Sequence, residues 1–167
     1  MVNFTNILVP TDFSENSLQA LEFAHYLAKQ SKAKLHVLHV VEPSPHSENS
    51  QNRFSEERFE KSRLLDAEED LRRFVNKISP QGITIIEALH PGKAYEQVLN
   101  YSRKNRIDLI VISSHGWTGL SHLITGNVTN KIMRYSDIPT ICIKSNTLVS
   151  QKEIPSVKNT FAENWVG

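Results

Sequence analysis

Short runs rich in branched apolar residues alternate along the chain with longer stretches in which apolar residues recur every three or four positions. The short runs have the length and composition of β-strands, and the longer stretches have the period of amphipathic helices. Five strands are predicted, at 6–10, 33–41, 83–89, 107–113 and 138–144. Because helical segments separate them, the pattern predicts an α/β fold: a five-stranded parallel sheet with helices on both faces.

The four helical segments differ in how clearly they begin. The first is predicted to begin after Asp12 or Ser14, since either side chain can cap a helix, and Glu15 lies three residues after Asp12. The sequence from 43 to about 62 is polar, and we expect a mobile loop there that leads into a second helix reaching Ile78. The third helix is expected between strands three and four, and the fourth over 128–135.

The order of the strands decides where a ligand would bind. In an open parallel sheet, ligands bind beyond the carboxyl ends of the strands, at the point where the strand order reverses. We predict the order 3-2-1-4-5, a Rossmann-like arrangement in which the ends of strands one and four lie side by side. The domain is expected to span 1–145. Residues 146–167 lack a strong period and are expected to form a tail that is either frayed or docked on this chain or a partner.

Composition narrows the possible classes of protein. The 167 residues suit one soluble domain, and the net charge of +1 gives no overall field to attract nucleic acid or an anionic membrane. No apolar run approaches the roughly 20 residues that cross a bilayer. The N-terminal stretch lacks the basic residues of a signal peptide, and the single Cys142 excludes an intrachain disulfide. We therefore expect a cytoplasmic protein that binds neither nucleic acid nor membrane.

The stretch after strand four carries the candidate chemistry. Ser-Ser-His-Gly leaves the strand at 113–116, and Gly126 and Asn127 directly precede the fourth helix. A helix N-terminus offers unpaired N–H groups and a positive dipole end, which favour a phosphate. Gly116 allows close approach of the backbone, and Asn127 can cap the helix or donate its amide to an anion. Across the crevice, Asp12 can accept from ribose hydroxyls or hold a hydrated cation.

The same residues also have an interpretation without any ligand. Gly and Asn begin many helices that bind nothing, and Gly116 can simply turn the chain. Neither GxxxxGK[ST] nor GxGxxG occurs. The local chemistry therefore leaves both interpretations open.

The seven histidines raise the question of a metal or catalytic site. His36 and His39 are three apart in one strand, so they face opposite sides of the sheet and cannot share a metal ion. His115 borders the candidate crevice, where a role in shaping the loop is expected rather than general-base catalysis. No GxSxG elbow is present. We predict neither a metal site made by protein ligands nor a catalytic residue.

These segments, in this order, resemble the universal stress protein family between about 6 and 144. The resembling pieces are ILVPTDFSENSLQAL, LHVLHVVE, PGKAYEQVLNYSRKNRIDLIVISSHG and GLSHLITGNVTNKIMRYSDIPTICIK. Nucleotide-binding members of that family carry Gly, two residues, Gly, nine residues, Gly, and then Ser or Thr. Here Ser113, Gly116, Gly126 and Asn127 occupy those four positions, so both spacings are kept and two residue types differ.

The resemblance implies a bound adenine nucleotide, ATP or else AMP or ADP, together with Mg²⁺. Adenine would lie near Val40 and the end of strand one, ribose near strand four, and the phosphates at the start of the fourth helix. The implied site residues are Pro10, Thr11, Asp12, Val40, Ile112, Ser113, His115, Gly116, Gly126, Asn127, Val128 and Thr129. Trp117 stands where the family often has a basic residue, and Lys131 can partly replace that charge.

The resemblance also implies a homodimer that pairs through the strand at 138–144, since an exposed edge strand offers a pairing surface. The function that follows is a stress-response regulator with an unidentified protein partner and little or no ATP hydrolysis. One alternative is a dimeric interaction module that has lost nucleotide binding, which Ser113, Trp117 and Asn127 favour. Another is a small hydrolase or nucleotidyl-transfer enzyme on a related fold.

Overall fold

The computed structural model describes residues 3–43, 53–78, 82–114 and 127–144, in which five strands and four helices alternate. The strands are β1 Asn6–Thr11, β2 Lys34–Val41, β3 Ile85–Pro91, β4 Leu109–Ser113 and β5 Thr140–Ile143. The helices are α1 Glu15–Ser31, α2 Arg53–Val75, α3 Ala94–Lys104 and α4 Asn127–Tyr135. No helix within these ranges is long and apolar enough to cross a membrane.

The strands form one sheet in the order β3-β2-β1-β4-β5, and every pair is parallel. This confirms the predicted fold class and strand order. In register, Val9 of β1 lies opposite Val37 of β2, and Leu8 of β1 lies opposite Ile110 of β4. After β1 the chain forms β2 and β3 on one side of that strand, and it then crosses to form β4 and β5 on the other side. The point where the order reverses is therefore between β1 and β4.

Alternating side chains divide the hydrophobic core between the two faces of the sheet. On one face α1 and α2 cover Val9 and Val37, both fully buried. On the other face α3 and α4 cover Leu8, Leu38 and Ile110, which are also fully buried. Each such aliphatic side chain stabilises the fold by about 1.5–3 kcal/mol relative to an exposed one. The two cores hold the sheet rigidly under the edge where a ligand would bind.

Ser14, one of the two predicted residues, caps α1. Its Oγ accepts from the Ser17 N–H at 3.2 Å, and the Ser17 hydroxyl donates to the Ser14 carbonyl at 2.8 Å. Asp12 is not the cap. Its Oδ1 accepts from the Ser14 hydroxyl at 2.6 Å and from the Ser14 N–H at 3.1 Å. Asp12 therefore fixes the residue that caps the helix.

Helix α2 begins at Arg53, so the prediction of a loop as far as residue 62 is wrong for its second half. The stretch is too polar to show an apolar face, although intrahelical ion pairs stabilise it farther along. These join Arg63 to Glu60 at 2.9 Å and Arg72 to Glu68 at 2.7 Å. Exposed pairs of this spacing contribute about 0.2–0.5 kcal/mol each. A polar sequence with several such pairs can be helical without a clear apolar stripe.

Several predicted boundaries move by a few residues, and β4 and β5 each begin two residues later than predicted. Helix α2 ends at Val75 rather than near Ile78, although Ile78 is buried as its apolar character suggested. Strand β3 covers Ile85–Pro91 instead of 83–89, and Pro91 is tolerated because β3 is an edge strand. Gly92 then turns the chain with a φ of 128°, a value that L side chains rarely adopt.

Candidate functional site

The carboxyl ends of β1, β2 and β4 bring several predicted site residues to one edge of the sheet. Pro10, Val40 and Ile112 lie on these three adjacent strands. Each comes two residues after a strand residue of the core under α3 and α4, and side chains two apart in a strand face the same side. They therefore share the α3/α4 face and form an apolar surface at its carboxyl edge. Val40 is half-buried and Ile112 is buried.

Thr11 and Ser113 alternate to the opposite face of the sheet. Thr11 is buried there, with its Oγ1 3.0 Å from the hydroxyl of Ser17 on α1. Ser113 is also buried and is next in β4 to Ile112, which faces α3 and α4. The Ser113 side chain, in a position where the resemblance has glycine, therefore does not project onto the apolar surface.

Thr129 ties the first turn of α4 to the end of β4. Its hydroxyl donates to the Ser113 carbonyl at 2.9 Å, and both residues are buried. The bond brings Val128 and Thr129, which the resemblance assigns to the phosphates, next to Ser113, which it assigns to the ribose. Because the Thr129 hydroxyl proton binds Ser113, what this residue can offer an anion is its backbone N–H, one of the four that lack an acceptor inside any helix.

Four predicted site residues lie between Ser114 and Val128 in the sequence. Asn127 is the first residue of α4, so the helix begins one residue earlier than predicted, and Asn127 lies in the helix rather than before it. His115, Gly116 and Gly126 lie outside the described residues.

The turn between β1 and α1 has an unusual backbone. Phe13 adopts a φ of 66°, in the left-handed region that residues other than glycine seldom occupy. Its N–H donates to the Thr11 hydroxyl at 3.0 Å, and its ring packs edge-on against Phe74 at a centroid distance of 5.7 Å. This turn sets the position of Asp12, the residue between Thr11 and Phe13.

His39 contacts the same turn, although it was not among the predicted site residues. It lies opposite Thr11 in the β1–β2 register, and its Nδ1 is 2.8 Å from the Thr11 carbonyl oxygen. A carbonyl only accepts, so Nδ1 carries the proton. The imidazole also stacks on Phe13 with the centroids 4.1 Å apart. Burial lowers the pKa of His39, opposed by its bond to Thr11 and by the nearby carboxylates of Asp12 and Asp70.

His36 faces away from His39, as the spacing predicted. Its Nδ1 lies 2.9 Å from the Tyr101 hydroxyl on α3, and its Nε2 lies 3.3 Å from Asn6 Oδ1. Among the described residues, no group of three or more His, Cys, Asp and Glu side chains is placed to hold a metal ion. His36 therefore has a structural role in the core under α3.

Helix α3 also begins at this edge, and a carboxylate closes its N-terminus. The Glu42 side chain, directly after β2, accepts from the Ala94 N–H at 2.9 Å, and Arg63 donates to the Glu42 carbonyl at 2.9 Å. Sequence reasoning missed this cap, although a Glu that follows an apolar strand is a usable signal. The first turn of α3 already holds a negative charge, which leaves α4 as the helix on this face where an external anion fits.

Lys131 brings a positive charge to the same edge. Its ammonium lies 4.4 Å from the centroid of the Tyr95 ring. Tyr95 is the second residue of α3, whose hydroxyl donates to Glu96 at 2.9 Å. Helical side chains point toward the helix N-terminus. The lysine therefore reaches back along α4 to the level at which both helices begin.

Comparison with known proteins identifies the fold and the family. Residues 3–144 match the model of the universal stress protein family. Universal stress protein MJ0531 of Methanocaldococcus jannaschii is 27% identical over 147 residues, which cover 84% of this chain and 82% of that protein.

Solved structures agree. The structure of MJ0577, a universal stress protein of M. jannaschii, superposes with a TM-score of 0.77 at 22% identity, over 86% of this chain and 98% of that one. The universal stress protein from Archaeoglobus fulgidus in complex with dAMP superposes with a TM-score of 0.62 at 19% identity, over 86% of this chain and 100% of that one. At these identities the likeness shows the fold, while the match to the family model covers nearly all of the domain. The chain therefore belongs to the universal stress protein family.

Proposed function

We propose that the protein binds an adenine nucleotide, ATP in the first place, at the carboxyl edge between β1 and β4. It would act as a stress-response regulator with little or no hydrolysis. The observation that carries this proposal is the buried bond from Thr129 to the Ser113 carbonyl at 2.9 Å. It holds the N-terminus of α4 at the point where the strand order reverses, which is where open parallel sheets bind their ligands.

The three parts of a nucleotide match three chemistries along this edge. Pro10, Val40 and Ile112 offer an apolar surface for a base. Asp12 stands at the end of β1, where a carboxylate can accept from ribose hydroxyls. The first turn of α4 offers backbone N–H groups and the positive end of its dipole to phosphates. The order base, ribose, phosphate follows the edge from β2 toward α4.

The choice of an adenine base draws on the family. A universal stress protein of the same fold has been solved in complex with dAMP. Within this chain, Thr11, Ser113, Val128 and Thr129 stand at the edge where the resemblance puts the nucleotide. His115, Gly116 and Gly126, together with Asn127, remain proposed contacts from the loop that leads into α4.

Mg²⁺ is part of the proposal. A hard cation prefers oxygen ligands and usually keeps several waters, so it binds through one or two carboxylates and the phosphates of a nucleotide. Asp12 is the carboxylate that would hold it, since the other carboxylate described at this edge, Glu42, caps α3. Bound Mg²⁺ would neutralise part of the triphosphate charge, and the protein's own part is to orient the phosphates on α4.

Lys131 would add a mobile counter-charge. Its contact with the Tyr95 ring is a cation–π interaction, worth about 0.5–1 kcal/mol at a partly exposed site. An anion on α4 offers the ammonium a stronger partner within reach. In this proposal Lys131 supplies the charge that Trp117 does not.

We also propose a homodimer through β5 and a cytoplasmic location, with an unidentified protein as the downstream partner. Strand β5 ends the order of the sheet within the described residues, so one of its edges is open to a second copy.

Calorimetric titration of nucleotide-stripped protein with ATP and Mg²⁺, then with AMP and GTP, tests the proposed function. We expect saturable ATP binding near one per chain and loss of binding in Gly126→Trp, since the large side chain would stand directly before α4. Tyr26→Trp, on the exposed surface of α1, is the matched control and should bind as the wild type does. No heat at millimolar ATP would favour the dimeric interaction module instead.

A further inference from the structure

The turn that presents Asp12 has a backbone conformation that needs external support. Phe13 has a φ of 66°, and a residue with a Cβ pays a steric cost in that region. Such a conformation persists only when its surroundings hold it in place. Asp12 is immediately before Phe13, so any relaxation of the turn moves the carboxylate.

His39 contacts the residues on both sides of Asp12. Its Nδ1–H donates to the Thr11 carbonyl at 2.8 Å, and its ring stacks on Phe13 at 4.1 Å with an interplanar angle of 25°. The Phe13 ring is held on another side by Phe74, at 5.7 Å. One imidazole from β2 therefore fixes the residue before Asp12 by a hydrogen bond and the residue after it by a stacked ring.

The side chain of His39 does not itself line the apolar surface proposed for the base. It alternates with Val40 along β2, and it packs toward Phe13 on the α1/α2 face. Direct contact with a base on the α3/α4 face is thus excluded by the geometry of the strand. Whatever His39 does for a nucleotide, it does through the turn.

We propose that His39 is a positioning residue of the nucleotide site, which holds the β1–α1 turn so that Asp12 faces ribose or the hydrated cation. This inference rests on the proposed function and adds a residue that acts on the same site from the opposite face of the sheet. It predicts that His39 and Asp12 contribute to nucleotide affinity as one unit.

Two substitutions separate the two contacts of the imidazole. His39→Asn keeps a nitrogen donor near the position of Nδ1 and removes the ring, whereas His39→Phe keeps a ring for Phe13 and removes the donor. Each should weaken ATP·Mg²⁺ binding by about two- to tenfold, the factor that corresponds to one net hydrogen bond or packing contact. A role in folding alone would instead lower the thermal midpoint and leave the affinity of the folded protein unchanged.

The decisive experiment is a double-mutant cycle with Asp12→Asn, read by calorimetry of the folded protein with ATP and Mg²⁺. We expect His39→Phe to have little further effect once Asp12 is replaced, since a misplaced carboxylate and an absent one lose the same contacts. Losses that multiply in the double variant, or unchanged affinity in both His39 variants, would overturn the proposal while wild-type binding upholds the nucleotide site. Absence of wild-type binding would overturn both.

His36→Phe is the matched control. His36 is also a histidine of β2 and is buried, but it faces Tyr101 on the other side of the sheet, with its Nδ1 2.9 Å from that hydroxyl. We expect this variant to unfold at a lower temperature and to bind ATP within about twofold of the wild type. A loss of affinity as large as that of the His39 variants would mean that general destabilisation explains both, and would contradict the positioning role.

Discussion

A single buried hydroxyl joins the start of α4 to the end of β4. The Thr129 side chain donates to the Ser113 carbonyl at 2.9 Å, so the last residue of β4 and the first turn of α4 share one hydrogen bond. In the sequence 13 residues, 114–126, separate these two elements, and the bond holds the end of β4 against the start of α4. The bond links the local sequence to the position of the proposed anion site.

Thr129→Val tests this link. The variant keeps the shape of the side chain but removes the donor to a buried carbonyl, which should lower the free energy of unfolding by about 1–3 kcal/mol. Chemical denaturation measures the loss, and ATP binding should weaken in parallel because α4 is less well placed. Thr129→Ser keeps the hydroxyl and should lie closer to the wild type. Equal stability of the Val variant and the wild type would contradict the account.

The buried His36 and the half-buried His39 make stability depend on pH. Burial, and then the charge of Lys34, lower the pKa of His36 from its ordinary 6.5. Below pH 6.5 the unfolded chain binds a proton at His36 that the folded protein resists, so stability falls as the pH decreases until the folded pKa is passed. His39 acts in the same direction.

His36→Gln should therefore lose less stability than the wild type between pH 7.5 and 5.5. Denaturation curves at the two pH values measure the difference. A slope that is identical in the two proteins would show that His36 titrates normally in the fold.

At the residue scale, local spacing predicted individual features near this edge but not the contacts between distant segments. Ser14 as a cap and the opposite orientations of His36 and His39 follow from local spacing, and the structure has both. The role of His39 depends on the β1–β2 register and on the left-handed turn at Phe13. Neither is readable from residue types, because both result from packing between segments distant in sequence.

At the scale of elements, strands were predicted more reliably than helix starts. The five strands are apolar and lie in a parallel sheet covered on both faces, so their composition alone marks them. The start of helix α2 was predicted too late, because Arg53 and the polar residues after it have the composition of a loop. Ion pairs along the helix, such as Arg73 with Asp70 at 2.6 Å, supply support that hydrophobic periodicity does not reveal.

Helix α4 carries a prediction of its own. Lys131 lies four residues after Asn127, roughly 6 Å along the axis, and its ammonium already reaches Tyr95 at the start of α3. Lys131→Met keeps the apolar part of the side chain and removes the charge. We expect ATP to bind about two- to fivefold more weakly and adenosine to bind unchanged, since an exposed pair of opposite charges contributes up to about 1 kcal/mol.

Calorimetry with ATP and with adenosine separates the two effects. Lys93→Met is the control, because that lysine precedes α3 and is paired with Glu96 at 3.8 Å. An equal loss for both ligands in Lys131→Met would place the lysine near the base instead of the phosphates.

At the scale of the whole molecule, β5 offers the proposed dimer its surface. The Ile110 N–H donates to the Pro139 carbonyl and the Ser114 N–H to the Ile143 carbonyl, both at 2.9 Å. In a parallel sheet, the backbone N–H and C=O groups of successive residues point alternately to the two sides of the strand. Residues 139 and 143 bond β4, so the backbone groups of Cys142 point away from β4, toward the open edge. Cys142 is partly buried, and that burial raises the pKa of its thiol.

Cys142→Pro should convert the proposed dimer to a monomer, because proline removes an N–H at the open edge while leaving the bonds to β4. Sedimentation velocity measures the mass, and Cys142→Ala is the control that keeps the backbone donor. A folded proline variant that remains dimeric would show that another surface joins the two copies. A monomeric wild type would remove the dimer from the proposal.

NMR titration with ATP and Mg²⁺ locates the proposed binding of an adenine nucleotide at the carboxyl edge between β1 and β4. We expect amide shift changes concentrated at 11–13, Val40, 112–113 and 128–131, since Pro10 has no N–H. Residues at the opposite edge, such as Asn6, Asp108 and those at the end of α1, should remain unchanged. Shifts clustered at that opposite edge, or no shifts at millimolar ATP, would contradict the account.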